Sequence, residues 1–388
     1  MTQKTLSIAA LLSLFILGVF VTPVLAADTF KVGAVFSVTG RASFLGDPEK
    51  KTAEMIADHI NKTGGINGKQ LELIVYDDEG DATKCNLAVK KLITQDNVCA
   101  IIGPSISGLS LAVVPLAEEY EIPLVSCAAS YKIVLDEKAN KPYKWVFKTP
   151  QSDSLAVEAI YTHIKKRGIT KIALLSSTDG FGASGLAELQ RIAPQYGLEI
   201  VADGKYGPED QDMTSQLTQI KGSGAGAIVN WSIGPTQVVV VRNWRDLGMT
   251  NIPFYQSHGF GNTKNIQLAA GAAEGVYCPL GAVNVPELLP ENHPQKKVVM
   301  AYLKDYSDKY KEPLNSFGGH AWDALTLVVE AMQKVGCDKA KIRDYIENRK
   351  GFVGQHGVFN FSPNDHNGLT KDAFQMIMVK NGTWALAD

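Results

Sequence analysis

From Phe30 onward, short β-branched and apolar runs alternate with longer stretches in which apolar positions recur every three to four residues. That alternation is the mark of parallel strands wrapped by helices. Strands are predicted at 31–36, 70–76, 99–103 and 122–125, with helices at 47–63, 83–94 and 108–120 between them. The series then repeats. Strands at 171–175, 199–206, 227–230 and 254–256 alternate with helices at 154–166, 182–196, 214–221 and 236–247. The pattern therefore predicts an α/β protein of two similar Rossmann-like lobes.

Three passages interrupt the alternation. Residues 147–150 (F-K-T-P) form an extended stretch whose proline forbids helix. Residues 277–281 (Y-C-P-L-G) make a second such stretch, and 351–354 (G-F-V-G) a third. Between the second and third lie strongly helical segments at 295–310, 317–335 and 339–348, with no new strands. Helices without strands must cover an existing sheet, most simply that of the first lobe. Three hinge strands are thus expected, with lobe one formed by 27–148 and 281–351 and lobe two by 149–280 and 352–388.

The first 26 residues read differently. Lys4 provides a basic start, an apolar run follows from Ile8 to Val21, and Val24, Leu25 and Ala26 end it in the manner of a signal-peptidase site. Pro23 ends the run short of the ~20 residues a spanning helix needs. Cleavage after about Ala26 is expected, releasing the mature chain into the periplasm. No cysteine near the cut would accept a lipid.

Composition narrows the field. With 38 basic and 40 acidic residues the net charge is -2, and no basic run is long enough to bind nucleic acid or an anionic membrane. Five cysteines in an oxidising compartment invite disulfides, but the odd count leaves at least one thiol unpaired. Cys85 and Cys99 fall at opposite ends of a predicted strand–helix layer, too far apart to bridge at ~1.5 Å of rise per helical residue.

Enzyme signatures fail one by one. Gly103 to Gly108 (G-P-S-I-S-G) follows a strand and opens a helix, yet Ser107 occupies a position that breaks the G-x-S-x-G spacing of a nucleophile elbow. Asp77 to Asp81 (D-D-E-G-D) begins like a calcium loop without its closing Glu. The seven histidines show no zinc spacing, and the phosphate-cradling G-x-x-x-x-G-K-[ST] motif is missing. Neither a cofactor nor a metal is implied, and no enzymatic role is expected.

What remains is a binding constellation. Open α/β sheets bind ligands at the carboxyl ends of their strands, where helix N-termini present unpaired N–H groups. Ser105 and Ser107 fall at such a place, and their hydroxyls, with the N–H groups opening the 108–120 helix, suit a carboxylate. Taken alone, Ser107 reads equally well as a helix N-cap. Ala128, Ala129 and Ser130 add a small-residue platform at the next strand end. Aromatics gather at the corresponding edge of lobe two.

The chain resembles the branched-chain amino-acid-type (leucine/isoleucine/valine-binding) solute receptors of the type I periplasmic binding fold, along essentially the whole mature length. The carriers are 40–46 (G-R-A-S-F-L-G), 60–68 (I-N-K-T-G-G-I-N-G), 76–78 (Y-D-D), 101–107 (I-I-G-P-S-I-S), 126–130 (S-C-A-A-S), 180–182 (G-F-G) and 322–324 (W-D-A), in the family's order and spacing. The resemblance implies a receptor for an ABC importer, closing on its ligand and presented to an inner-membrane permease, with a monomer expected. It places the ligand carboxylate on Ser107 and Ser130, the carbonyl of Ala128 toward the ligand's amine, and side-chain walls at Leu45, Phe181 and Phe317, with Ile233 or its neighbour Trp231 as the fourth. The family's disulfide positions match Gly80 and Ile106, so that bridge is not carried over.

One departure matters. Where the amino-acid binders keep a glutamate for the ligand's ammonium, this chain reads Gln256, Ser257, His258, Gly259. Histidine offers no negative charge, although neutral imidazole accepts one hydrogen bond. A branched-chain or related amino acid is the family default. An aromatic carboxylate or an amide- or urea-type solute is the alternative, as is a ligand sensor of the same fold serving a receptor.

Overall fold

The computed structural model describes residues 29–313 and 315–387, so the leader expected at 1–26 lies outside the described residues. In the first lobe the chain runs β1 (Phe30–Phe36), α1 (Ser43–Lys62), β2 (Leu71–Asp77), α2 (Ala82–Thr94), β3 (Ala100–Ile102), α3 (Ser107–Glu119) and β4 (Leu124–Ser126). A small hairpin, β5 (Leu135–Asp136) and β6 (Lys141–Pro142), precedes β7 (Val146–Lys148). The sheet is parallel throughout, in the order β2-β1-β3-β4-β7. Its strands read as apolar runs because helices cover both faces.

The second lobe carries α4 (Asp153–Lys166), β8 (Lys171–Ser177), α5 (Gly180–Ile192), β9 (Glu199–Tyr206), α6 (Thr214–Lys221), β10 (Ala227–Trp231), α7 (Thr236–Asp246), β11 (Phe254–Gln256), α8 (Thr263–Ala269) and β12 (Tyr277–Leu280). Its strands run parallel in the order β9-β8-β10-β11-β12, and β15 (Gln375–Lys380) and β16 (Thr383–Leu386) extend the β12 edge antiparallel. In each sheet the order reverses at one strand, β1 in the first and β8 in the second. The crevices at these reversals face each other, which positions the site.

The strandless helices α9 (Lys296–Tyr310), α10 (Ser316–Val335) and α11 (Lys339–Glu347) do return to the first lobe. Ala321, Ala324, Leu325 and Val328 of α10 share one core with Val32, Ala34 and Ile102 of the sheet. A disulfide joins Cys99, just before β3, to Cys337, just after α10, with Cα atoms 5.2 Å apart. Cys85, Cys127 and Cys278 are buried free thiols.

The third passage between lobes lies later than the glycines at 351 and 354 suggest. Those residues belong to a hairpin, β13 (Phe352–Val353) and β14 (Val358–Phe359). Phe352, Phe359, Phe361 and Leu369 all pack into the first lobe's core, whereas Phe374 joins the second. The crossing therefore falls between Leu369 and β15, because the apolar side chains of 352–369 have their partners in lobe one. Side chains tie this passage to the first: Gln151 Nε2 donates to the His356 and Ala373 carbonyls, and Asn367 Nδ2 to those of Lys148 and Pro150. Among the described residues no helix is long and apolar enough to cross a membrane.

Candidate functional site

A cavity of about 750 Å³ lies between the lobes. Nearly all of its lining follows the carboxyl ends of strands: Arg41 to Leu45 after β1, Ser105 to Leu109 after β3, Cys127 to Ala129 after β4, Asp179 to Phe181 after β8, Ile233 to Thr236 after β10, and His258 after β11. Phe317 and His320 reach the cavity from α10. Open parallel sheets offer these loops as binding surface for the reason given above.

The turn that leaves β3 depends on Gly103. Its φ is +87°, and a Cβ there would collide with the Val35 carbonyl of the neighbouring strand. Only glycine can bring the chain round so tightly, and the turn delivers Ser105 and Ser107 to the cavity.

Ser107 is not an N-cap. It is the first residue of α3, behind Ile106, which has no side chain able to cap. The positive end of α3 is thus left uncapped in the cavity wall. The Ser107 hydroxyl accepts from the Ser130 N–H at 3.3 Å, and among the described residues no acceptor takes its proton. A carboxylate placed there would receive that proton and the N–H groups opening α3. Gly180, which opens α5 in the other lobe, stands so close that a Cβ on it would lie 3.0 Å from Gly108. The two lobes therefore meet at this point. The α5 end is already satisfied, since Asp179 accepts from the Phe181 and Gly182 N–H groups at 3.0 and 2.8 Å.

The other predicted hydroxyls are engaged. Ser105 lines the cavity, but its hydroxyl donates to Glu49 Oε2 and accepts from the Ser37 N–H at 3.0 Å. Ser130 does not line the cavity. Its oxygen is 2.6 Å from that of Ser184, which in turn donates to Asp153 Oδ2. Because Ser184 gives its one proton to the carboxylate, Ser130 must donate to Ser184, leaving no hydroxyl proton for a ligand.

Leu45 and Phe317 form the core of an apolar cluster with Ala42, against which Phe44, Ile106 and Ile233 pack. The Phe44 and Phe317 rings meet edge to face with centroids 5.9 Å apart. Ala128 and Phe181 also line the cavity. Trp231 does not: it is fully buried, packed against Phe181 (5.8 Å) and His258 (5.7 Å), and supports both rings from beneath the lining. Gly185 makes room for it, since a Cβ there would strike the indole.

His258 lines the cavity within an aromatic surround, and neither of its ring nitrogens has a partner or access to solvent. Burial above all, with Lys148 and His356 acting in the same direction, pushes its pKa down to about 3, so the imidazole is neutral at ordinary pH. Sequence reasoning missed His320, Phe44 and Arg41. Two of these carried a signal: Phe44 adjoins Leu45, and His320 follows Phe317 at the i+3 spacing that puts both on one helix face.

Two lobes of parallel sheet, hinged by three passages and enclosing a cavity built from strand ends, define the solute-receptor class. The chain belongs to the periplasmic binding protein family, whose sequence profile matches residues 29–383. The leucine-, isoleucine-, valine-, threonine- and alanine-binding protein of Pseudomonas aeruginosa is 24% identical over 346 residues, 89% of each chain. An extracellular ligand-binding receptor of Rhodopseudomonas palustris superposes with a TM-score of 0.85 at 28% identity, over 92% of this chain and 99% of that one. The branched-chain amino acid transporter substrate-binding protein of Streptococcus pneumoniae, solved with isoleucine, gives 0.78 at 27% identity, over 93% and 99%. Within that family the chain is similar to branched-chain amino-acid-binding receptors.

Proposed function

We propose that this receptor is the extracytoplasmic component of an ABC importer and captures a small hydrophobic carboxylate by closing its lobes. The observation that carries the reading is Ser107: an unassigned hydroxyl proton at the uncapped end of α3, inside an interlobe cavity of about 750 Å³. Helix N-termini favour anions by ~0.3–2 kcal/mol, and a hydrogen bond to a charged group adds ~1.5–3 kcal/mol. The apolar cluster of Leu45, Phe317, Phe44 and Ile233 suits the rest of such a molecule. Closure on a ligand would present a joined two-lobe surface to an inner-membrane permease, and the reading assigns the site no bond-making step. After removal of its leader the chain would act as a monomer in the periplasm.

Thermal denaturation against amino acids, their deaminated counterparts, benzoates and amides tests this. A ligand at one hundred times its Kd stabilises the folded form by ~2.7 kcal/mol. Trp231, held against two lining residues, should report the same event in its fluorescence. A panel that moves neither signal overturns the receptor reading.

A further inference from the structure

The lobe-two end of the cavity holds polar atoms that the fold itself leaves unmet. The His258 ring is ringed by Phe181 (5.4 Å), Trp231 (5.7 Å) and Phe374 (5.5 Å), and both its nitrogens are unpartnered and shut off from water. His320 reaches the same cavity from lobe one, 8% exposed, and its Nδ1 also has no partner. It stacks at 3.8 Å on His356, which is itself held by Asp323 at 2.9 Å. Each buried polar atom left unmet costs ~1–3 kcal/mol. Three such atoms on two cavity-lining imidazoles point to a group supplied from outside the chain, reached when the rings turn toward the cavity, since as they stand these nitrogens are closed to water.

The surroundings define that group. A neutral imidazole has one N–H donor and one bare acceptor nitrogen, so the pair can both donate to and accept from a single hydroxyl. An ammonium has only donors and brings a positive charge. Of the nearby carboxylates, Asp323 is engaged by the N–H groups of Gln355 and His356 and by the His356 ring, Asp153 by Tyr131 and Ser184, and Asp179 by the α5 cap, while Glu49, behind Ser105, has Oε1 unpartnered but is held by burial well above the ordinary carboxylate range, which disfavours its charge. Glu209, the other acidic lining residue, is exposed. A buried ammonium without an opposing charge is disfavoured. The flat walls of Phe44, Phe181 and Phe317 match an aromatic ring.

We infer that the ligand is an amine-free aromatic carboxylate whose far end carries a hydroxyl, hydrogen-bonded by His258 from one lobe and His320 from the other. This rests on the receptor reading above, and adds to it the chemical class of the ligand and the two residues that select it.

Calorimetry on the whole protein, dialysed free of small molecules, tests it with matched pairs. 4-Hydroxybenzoate, 4-hydroxyphenylacetate and 3-(4-hydroxyphenyl)propionate are each compared with the same acid lacking the hydroxyl, so that three ligand lengths are covered. L-Tyrosine is compared with 3-(4-hydroxyphenyl)propionate, and L-leucine with 4-methylpentanoate, pairs that differ only by the amine. At the best length the hydroxyl should tighten binding about tenfold or more, and the amine should weaken it at least as much. His258→Phe and His320→Phe, each filling the site with a ring of similar size, should each lower the hydroxylated acid to the level of its partner while leaving that partner within about threefold. The wild-type pairs need no variant to fold. Amino acids binding more tightly than their amine-free counterparts, or a hydroxyl advantage that is missing or survives both substitutions, would overturn the proposal while the receptor reading stands. Silence from every compound, amines included, would overturn both.

Discussion

The hydroxyl oxygens of Ser130 and Ser184 lie 2.6 Å apart across the seam between the lobes. Ser130 follows β4 in the first lobe, and Ser184 sits on α5 in the second. Ser184 passes the connection on to Asp153, which also accepts from the Tyr131 N–H at 3.2 Å. Asp153 opens the helix directly after the first passage between the lobes. A chain of buried hydrogen bonds thus connects the platform beside Ser107 with the hinge.

Ser130→Ala and Ser184→Ala should therefore weaken ligand binding through lobe closure, each by ~0.5–1.5 kcal/mol, a roughly two- to tenfold rise in Kd. Because both remove the same bond, the double variant should bind about as well as the weaker single one. Calorimetric titration of the four proteins measures this, and fully additive losses would show that the two serines act separately.

Ser107→Ala removes the hydroxyl proposed to bind the ligand's carboxylate. Its loss should be larger, ~1.5–3 kcal/mol or a roughly 10- to 150-fold rise in Kd, and confined to ligands that bear a carboxylate. Unliganded stability should change by no more than about 1 kcal/mol, since the hydroxyl's one bond within the protein is at 3.3 Å. Affinity equal to wild type would put the carboxylate elsewhere.

Glu49 makes stability depend on pH. It is fully buried, with Oε2 on Ser105 and Oε1 unpartnered. Burial, reinforced by Asp78 and only partly offset by the Ser105 bond, holds its pKa well above the ordinary 4.5. The folded state then keeps a proton that the unfolded state releases. Its contribution is complete below pH ~4.5 and is lost as pH rises through the folded pKa, at up to about 1.4 kcal/mol per pH unit. Asp78, Asp153 and Asp323, whose pKa values are also raised, add slopes of the same sign. Urea unfolding from pH 5 to 8 should show Glu49→Gln losing less stability with rising pH than wild type. Parallel curves would mean that Glu49 is ionised in the fold.

The Cys99–Cys337 bridge clips the returning helices to the first sheet across 238 residues of chain. Reduction, or Cys337→Ser, should cost ~2–4 kcal/mol by releasing the unfolded chain, lowering the melting temperature by several degrees. Binding of the ligand should persist, because the bridge lies away from the cavity lining. Scanning calorimetry with and without reductant checks the first expectation, and an unchanged melting temperature contradicts it.

Hydrophobic periodicity by itself determined the two α/β lobes and most element positions, because buried parallel strands and amphipathic helices impose local patterns that short windows record. Predicted strand ends pointed to Ser107, the family resemblance added Phe181 and Phe317 and marked His258 as a departure, and the structure brings these four to one cavity. What a side chain does once there depends on neighbours distant in sequence, and only the tertiary structure decided that. Ser105 and Ser130 have the right chemistry for a carboxylate, yet Glu49 and Ser184 engage their hydroxyls. Trp231 at a strand end looks like a ligand wall until Phe181 and His258 cover it. The third crossing moved because a hairpin's aromatics found their partners in lobe one, and Cys337 found Cys99 only when α10 returned to the first sheet. Long-range contacts of this kind leave no periodic trace along the chain, for they are set by which surfaces meet and not by the spacing within either one.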